Sequence, residues 1–381
     1  MKLTKLALIP LAFAVLAVSC KQEEEVKLQY YTTPGVYDIV TAEAPAGDEV
    51  NNVIFLIGDG MGLEQVSCAW VLNHGKLNLD NFGIVGLSRT YSADHLITDS
   101  GAGGTALASG HKTGNEHVGT DINGEPLYSM LHKAHTLGWK TGVVTTCHLA
   151  DATPVDFCCH NVHRYNTEAI IADYAKCNVD YIAGGGSYYF SAKNREDGRD
   201  IADEMAQEGY TVALTEEELN AAPLPVLGLL AEDNLPVALE RGDLFRHMVS
   251  RGIDLLSKAA AAEEKGFAMM IEGSCIDDWL HANKIDLAME EVLDFDRTIG
   301  DVLEWAAKDG HTLVVVTADH ATGALTLQDG DLEEGKIGVA FGNDSHNGIA
   351  VPYYVWGPGA TYFGGIFENS ELGELIASFI Q

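Results

Sequence analysis

From Asn52 onward, short apolar runs alternate with stretches of helical periodicity. The runs are VIFLI (53–57), TGVVTT (141–146), FAMMIEG (267–273), TLVVVT (312–317) and PYYVW (352–356). Near-continuous runs rich in β-branched residues, separated by helices, are the pattern of strands buried on both faces in a parallel sheet. The expected architecture is α/β: a doubly wound, mostly parallel central sheet flanked by helices. Two polar stretches interrupt this rhythm and read as surface excursions, one from Thr215 to Asp233 and one between Thr322 and Ser345.

The chain before Asn52 has another character. Lys2 and Lys5 precede the apolar run LALIPLAFAVLAV, which is short for a membrane span and closes on Ser19-Cys20. This resembles a bacterial lipoprotein signal over residues 1–19, with Cys20 acylated as the first mature residue; the alternative is an ordinary secretory signal. Residues 20–49, beginning Cys20-Lys-Gln-Glu-Glu-Glu25, read as a lipid-anchored linker with a short leading strand, and residues 50–381 as the catalytic domain. The expected location is outside the inner membrane, on the periplasmic or the outer-membrane surface, with the lipid on Cys20 as the membrane contact.

Charge narrows the partners. The chain carries 23 basic and 56 acidic residues, a formal balance of −33, and loss of Lys2 and Lys5 moves it to −35. Such a field repels nucleic acid and anionic lipid surfaces, so neither is an expected partner. A phosphate-bearing substrate is repelled as well unless local positive charge, such as metal ions, receives it. Six cysteines follow Cys20, and they read as buried thiols with one bridge at most.

Several predicted strands end on residues that carry chemistry, where ligands of open α/β sheets bind. Asp59 lies in Ile57-Gly-Asp-Gly-Met-Gly62, where a turn or cap aspartate is the competing reading. Asp319-His320 follows VVVT directly. Glu272, Asp277 and His281 have spacings of five and four, and a helix over 277–281 puts the last two on one face. His346 sits in a Gly-rich loop. Asp, Glu and His in this mixture suit zinc and magnesium. Ser100 opens GAGGTALASG, a predicted helix of small residues whose N-terminus favours an ionised nucleophile or a phosphate. A plain helix cap is the alternative. Arg164 is the one arginine between Arg89 and Arg195 and is available as a bidentate phosphate partner.

Taken together, these blocks resemble the alkaline phosphatase family over residues 52–381. Ile57–Gly62, Thr98-Asp99-Ser100, Asp151-Ala-Thr153-Pro154, Glu272-Gly-Ser-Cys-Ile-Asp277 with His281, Thr317-Ala-Asp319-His320, and His346 stand in the family's order. The resemblance implies two zinc ions and one magnesium ion. Asp277, His281 and His346 would hold one zinc, Asp319 and His320 the other. Asp59 would bridge zinc and magnesium, with Asp151, Thr153 and Glu272 on the magnesium side. Ser100 would be the nucleophile and Arg164 the phosphate clamp, in hydrolysis of phosphate monoesters through a phosphoserine. Three divalent ions and Arg164, set against five carboxylates, make a site of about +2 inside an acidic surface.

Two positions depart from the family pattern. Thr322 stands where a histidine is frequent, and Asp278 where lysine, histidine or tryptophan is. The short span from His320 to His346 implies only a small accessory crown region, and the resemblance admits a homodimer. A phosphodiesterase or sulfatase of the same superfamily is the nearest rival, and a non-catalytic phosphate- or metal-binding surface lipoprotein is the rival of another class. Ser100 with Arg164 argues for monoesters and against a mere binder.

Overall fold

The computed structural model describes residues 27–381; the expected signal over residues 1–19 and Cys20 lie outside these described residues. A ten-stranded sheet organises the chain. Its order is Gly365–Glu368, Ile84–Arg89, Val351–Trp356, Thr312–Thr317, Asn52–Gly58, Phe267–Gly273, Lys140–His148, Tyr181–Gly185, Val226–Leu229, Thr211–Ala213. Val351–Trp356 runs antiparallel to both neighbours, and every other pairing is parallel. The PYYVW run was expected to be parallel like the others. Burial on both faces dictates its composition, and that burial is the same for either strand direction.

Alternation along the central strands feeds two cores. Ile54 and Leu56 face one layer, with Leu256, Val292 and Leu303 of the helices Leu244–Ala262 and Ile285–Asp309. Val53, Phe55 and Ile57 face the other, with Leu107, Leu131, Val155 and Leu372 from helices on the opposite side. Helix Ile285–Asp309 repeats apolar residues at three- and four-residue steps (Ile285, Ala288, Met289, Val292, Ile299, Val302, Leu303, Ala306). It stops at Gly310, whose φ of 81° is left-handed.

The stretch 215–233 is not all surface. Val226–Leu229 is a buried strand between Tyr181–Gly185 and the edge strand Thr211–Ala213. Four residues flanked by Pro225 and containing Gly228 give too short an apolar run to stand out. The 322–345 stretch forms a hairpin, Thr326–Asp331 with Lys336–Ala340, and Gln29–Thr32 adds to it as a third strand. The segment that follows this strand is docked on the body. Tyr37 hydroxyl donates to Asp296 (2.7 Å), Val40 N–H to Asn78 (2.9 Å) and Ala42 N–H to Asn81 (2.9 Å). The six described cysteines are all buried free thiols, so the one bridge allowed for is not formed among them.

Register positions the site. Ile57 pairs with Glu272 on one side and with Thr317 on the other, and Thr145 also pairs with Glu272. Three strands therefore end level while Lys140–His148 runs on past them, and Asp59, Glu272 and Asp319 emerge along one rim. Gly103 and Gly104 bring helix Ser100–Ser109 close beneath that rim. A Cβ at Gly103 would meet the Asp319 carbonyl at 3.1 Å, and one at Gly104 would collide with Asp156.

Candidate active site

A cavity of about 410 Å³ opens at this rim, lined by Asp59, Asp99, Ser100, His148, Asp151, Arg164, Tyr165, Asp277, Asp278, His281 and His346 among others. Ser100 is the first residue of its helix, capped by Asp99, whose side chain accepts from Ala102 N–H at 3.0 Å. Its Oγ lies 3.2 Å from His320 Nε2. That same nitrogen is 3.1 Å from Asp319 Oδ2 and 3.5 Å from Asp59 Oδ1. Beside this group, Asp277 Oδ2 stands 3.0 Å from His281 Nε2 and 3.7 Å from His346 Nε2, and the two histidine nitrogens are 3.0 Å apart. Helix Cys275–His281 supplies Asp277 and His281 one turn apart, as their spacing predicted. Gly60 has φ 70°, and a Cβ there would meet Asp277 Oδ1 at 2.6 Å; glycine lets the two aspartate-bearing segments approach.

Arg164 faces the helix that Ser100 opens. Its guanidinium donates to Asp151 Oδ1 at 2.9 Å and to Asp99 Oδ2 at 3.4 Å. Burial opposes its charge, but Asp151 and Asp99 more than offset that and raise its pKa. Burial likewise works against Asp151, yet Arg164 and His148 hold it below the usual carboxylate range. Glu272 accepts from Thr145 Oγ1 at 2.6 Å, and Thr153 lies on the helix that Asp151 caps.

The donor set behaves as a cation site. One oxygen each of Asp59, Thr153, Glu272, Asp277 and Asp319 is buried without a hydrogen-bond partner, a costly arrangement unless something positive binds there. Burial and then Asp151 push Glu272 up to about 8; burial and then Asp277 push Asp319 up to about 6. Burial, with Asp319 and Asp277, carries Asp59 well above its ordinary value. The hydrogen bond with Asp277 raises His281 to about 9, while burial keeps His320 neutral. Donor atoms 3.0–3.7 Å apart suit a tetrahedral ion with ligands at about 2.0–2.2 Å. Within 4.8 Å of one another, the donor groups are Asp59–Asp319–His320 and Asp277–His320–His346. Asp151, Thr153 and Glu272 belong to neither group.

The alkaline phosphatase family model matches residues 50–335. The chain belongs to the alkaline phosphatase family. It is 38% identical over 298 residues to Alkaline phosphatase 4 of Bacillus subtilis (strain 168), covering 73% of this chain and 63% of that protein. The chain thus spans rather less than two thirds of the length of that relative. The solved alkaline phosphatase of the Antarctic bacterium TAB5 superposes with a TM-score of 0.81 at 34% identity, over 87% of this chain and 99% of that one. A variant of the TAB5 enzyme with Mg bound in the M3 site gives a TM-score of 0.80 at 34% identity, over 89% and 99%. The alkaline phosphatase family is metal-dependent, and the buried donors described above fit that requirement. His346 lies beyond the matched segment, but its Nε2 faces Asp277 and His281 in the site while its Nδ1 is held 2.9 Å from the Thr98 carbonyl.

The two departures from the alkaline phosphatase pattern have definite surroundings. Thr322 Oγ1 lies 3.2 Å from His320 Nδ1, so it orients the ring whose Nε2 faces Ser100. Asp278 lines the cavity and accepts from Asn234 at 2.9 Å. Asn234 was not singled out from the sequence, His148 only as a polar strand end just before Asp151, and Asp99 only as part of the Thr98-Asp99-Ser100 block. Asp99 carried a local signal, an aspartate just before a small-residue helix. Asn234 carried none, because its partner lies 44 positions away.

Proposed function

We propose that this protein hydrolyses phosphate monoesters with Ser100 as the nucleophile. The observation that carries the reading is the placement of Ser100 Oγ at a helix N-terminus, 3.2 Å from His320 Nε2, in the cavity that Arg164 also lines. Asp277, His281 and His346 would hold one zinc, Asp59, Asp319 and His320 a second, and Asp59, Asp151, Thr153 and Glu272 a magnesium. When bound, these ions supply the positive charge that draws a phosphate into an acidic protein and favours ionised oxygens there.

The chain's own residues do the rest. Arg164, braced by Asp99 and Asp151, offers two parallel N–H donors to non-bridging phosphate oxygens. The helix N-terminus favours negative charge at Ser100 Oγ. The Oγ–P bond forms as the ester P–O bond breaks, and the alcohol leaves with the electron pair and takes up a proton. Water then adds to the phosphoserine, releasing inorganic phosphate and restoring Ser100. Neutral His320 keeps its Nε2 lone pair toward the site, and Thr322 accepts the Nδ1 proton.

The export signal and Cys20 support a lipid-anchored location outside the inner membrane, and a homodimer is compatible with this reading. Hydrolysis of an aryl phosphate monoester beside the matched diester, with elemental analysis, tests it. The expected result is strong preference for the monoester with two zinc and one magnesium per chain. Faster hydrolysis of the diester, or activity retained after complete chelation, contradicts it.

A further inference from the structure

Asn234 leaves the sheet just after strand Val226–Leu229 and reaches the cavity wall from a loop that is tied down at both ends. Leu230 N–H donates to the Gly184 carbonyl at 2.8 Å, Leu235 N–H to Thr146 at 2.9 Å, and Gly186 and Ser187 N–H both to Ala231 at 3.0 Å. On this anchored loop the Asn234 amide uses both ends. Its Oδ1 accepts from His148 N–H at 2.9 Å, which settles the orientation of the amide, and its Nδ2 therefore faces Asp278 Oδ2, also at 2.9 Å. Among the described residues no other hydrogen bond reaches the Asp278 carboxylate.

At alkaline pH Asp278 is an anion in an awkward place. It lines the same cavity as Ser100 and Arg164, with the carboxylates of Asp151 and Asp277 near enough to repel it. Without a donor, that repulsion and the open side of the cavity would turn the side chain out to solvent. We infer that Asn234 is a positioning residue that holds the Asp278 carboxylate at the cavity wall, where its charge weakens retention of the inorganic phosphate product. The inference rests on the phosphomonoesterase reading. A like charge beside a dianion discourages binding of phosphate while Arg164 still clamps it, so product leaves sooner. The loop that supplies Asn234 thus tunes phosphate affinity without touching substrate.

The test is the inhibition constant for inorganic phosphate, measured at alkaline pH and fixed ionic strength on metal-loaded, full-length protein. Four proteins are compared: wild type, Asn234→Ala, Asp278→Asn and the double variant. Each single substitution is expected to lower the constant by roughly 5-fold, and the double variant to match Asp278→Asn, because both act through one charge. Asp278→Asn keeps an acceptor for the Asn234 amide and leaves the loop tethered. An unchanged constant there overturns the inference whatever Asn234→Ala does to folding. A further fall when Asn234→Ala is added to Asp278→Asn overturns it too, since Asn234 would then act independently of that charge. Wild-type protein that neither hydrolyses an aryl phosphate monoester nor is inhibited by phosphate overturns the underlying reading instead.

Discussion

Ser100 Oγ and His320 Nε2 are 3.2 Å apart although 220 positions separate them in the chain. Helix Ser100–Ser109 provides the first and the end of strand Thr312–Thr317 the second. Gly103 makes the meeting sterically possible by letting the helix lie against Asp319. The proposed nucleophile and a candidate metal ligand thus share one contact.

Arg164 owes its geometry to two carboxylates, Asp99 and Asp151, which hold its planar fork at the cavity wall. Arg164→Lys keeps the charge and loses the fork. For this variant kcat/KM for an aryl phosphate is expected to fall by roughly 10-fold or more, with metal content unchanged. Steady-state kinetics with elemental analysis checks this.

Metal removal and pH are linked through the raised ligands. In the metal-free site Glu272 titrates at about 8, pushed up by burial and Asp151, and His281 at about 9 through Asp277. Both therefore hold protons at neutral pH, whereas Asp319, at about 6, has largely lost its own. Ions need the deprotonated forms, so loading the chelated protein at pH 7 should release at least about two protons, those of Glu272 and His281, with raised Asp59 adding to the count. Apparent metal affinity should rise with pH from 7 to about 9 as these groups lose their protons. Calorimetry in buffers of different ionisation enthalpy reads the proton count directly.

Thr322 stands 3.2 Å from His320 Nδ1 and orients the ring. Thr322→Val keeps the shape and removes the hydroxyl. The expected outcome is roughly 10-fold weaker retention of zinc at the Asp59–Asp319–His320 group, measured by chelator competition, with the Asp277–His281–His346 group unaffected.

Much of this site was legible in the sequence because its residues sit where an α/β sheet must place chemistry. Asp59, Glu272 and Asp319 end buried runs whose composition announced them, and Asp277 and His281 share a helical face by spacing alone. What was hidden depended on long-range pairing. The direction of Val351–Trp356 left no trace in its composition. The strand Val226–Leu229 was too short to be read inside an acidic stretch, and with it went the loop that delivers Asn234 to Asp278. The segment before Asn52 looked like a linker because it carries prolines, glycines and acidic residues. In the fold, the Tyr37 hydroxyl and the backbone N–H groups of Val40 and Ala42 bind it to the body.

Localisation is tested at Cys20. Labelled palmitate should enter the wild-type protein and not Cys20→Ser, and the variant should be released from membranes. Equal labelling of both contradicts acylation at this cysteine.

The central claim is that Ser100 carries phosphate during turnover. Metal-loaded enzyme mixed with a labelled phosphate monoester, quenched in acid and mapped by peptide, reads this directly. The account predicts label on the peptide containing Ser100, no label in Ser100→Ala, and a loss of rate of ~10² or more in that variant with fold and metals retained. Label on another residue, or a Ser100→Ala enzyme that turns over at the wild-type rate, would contradict it.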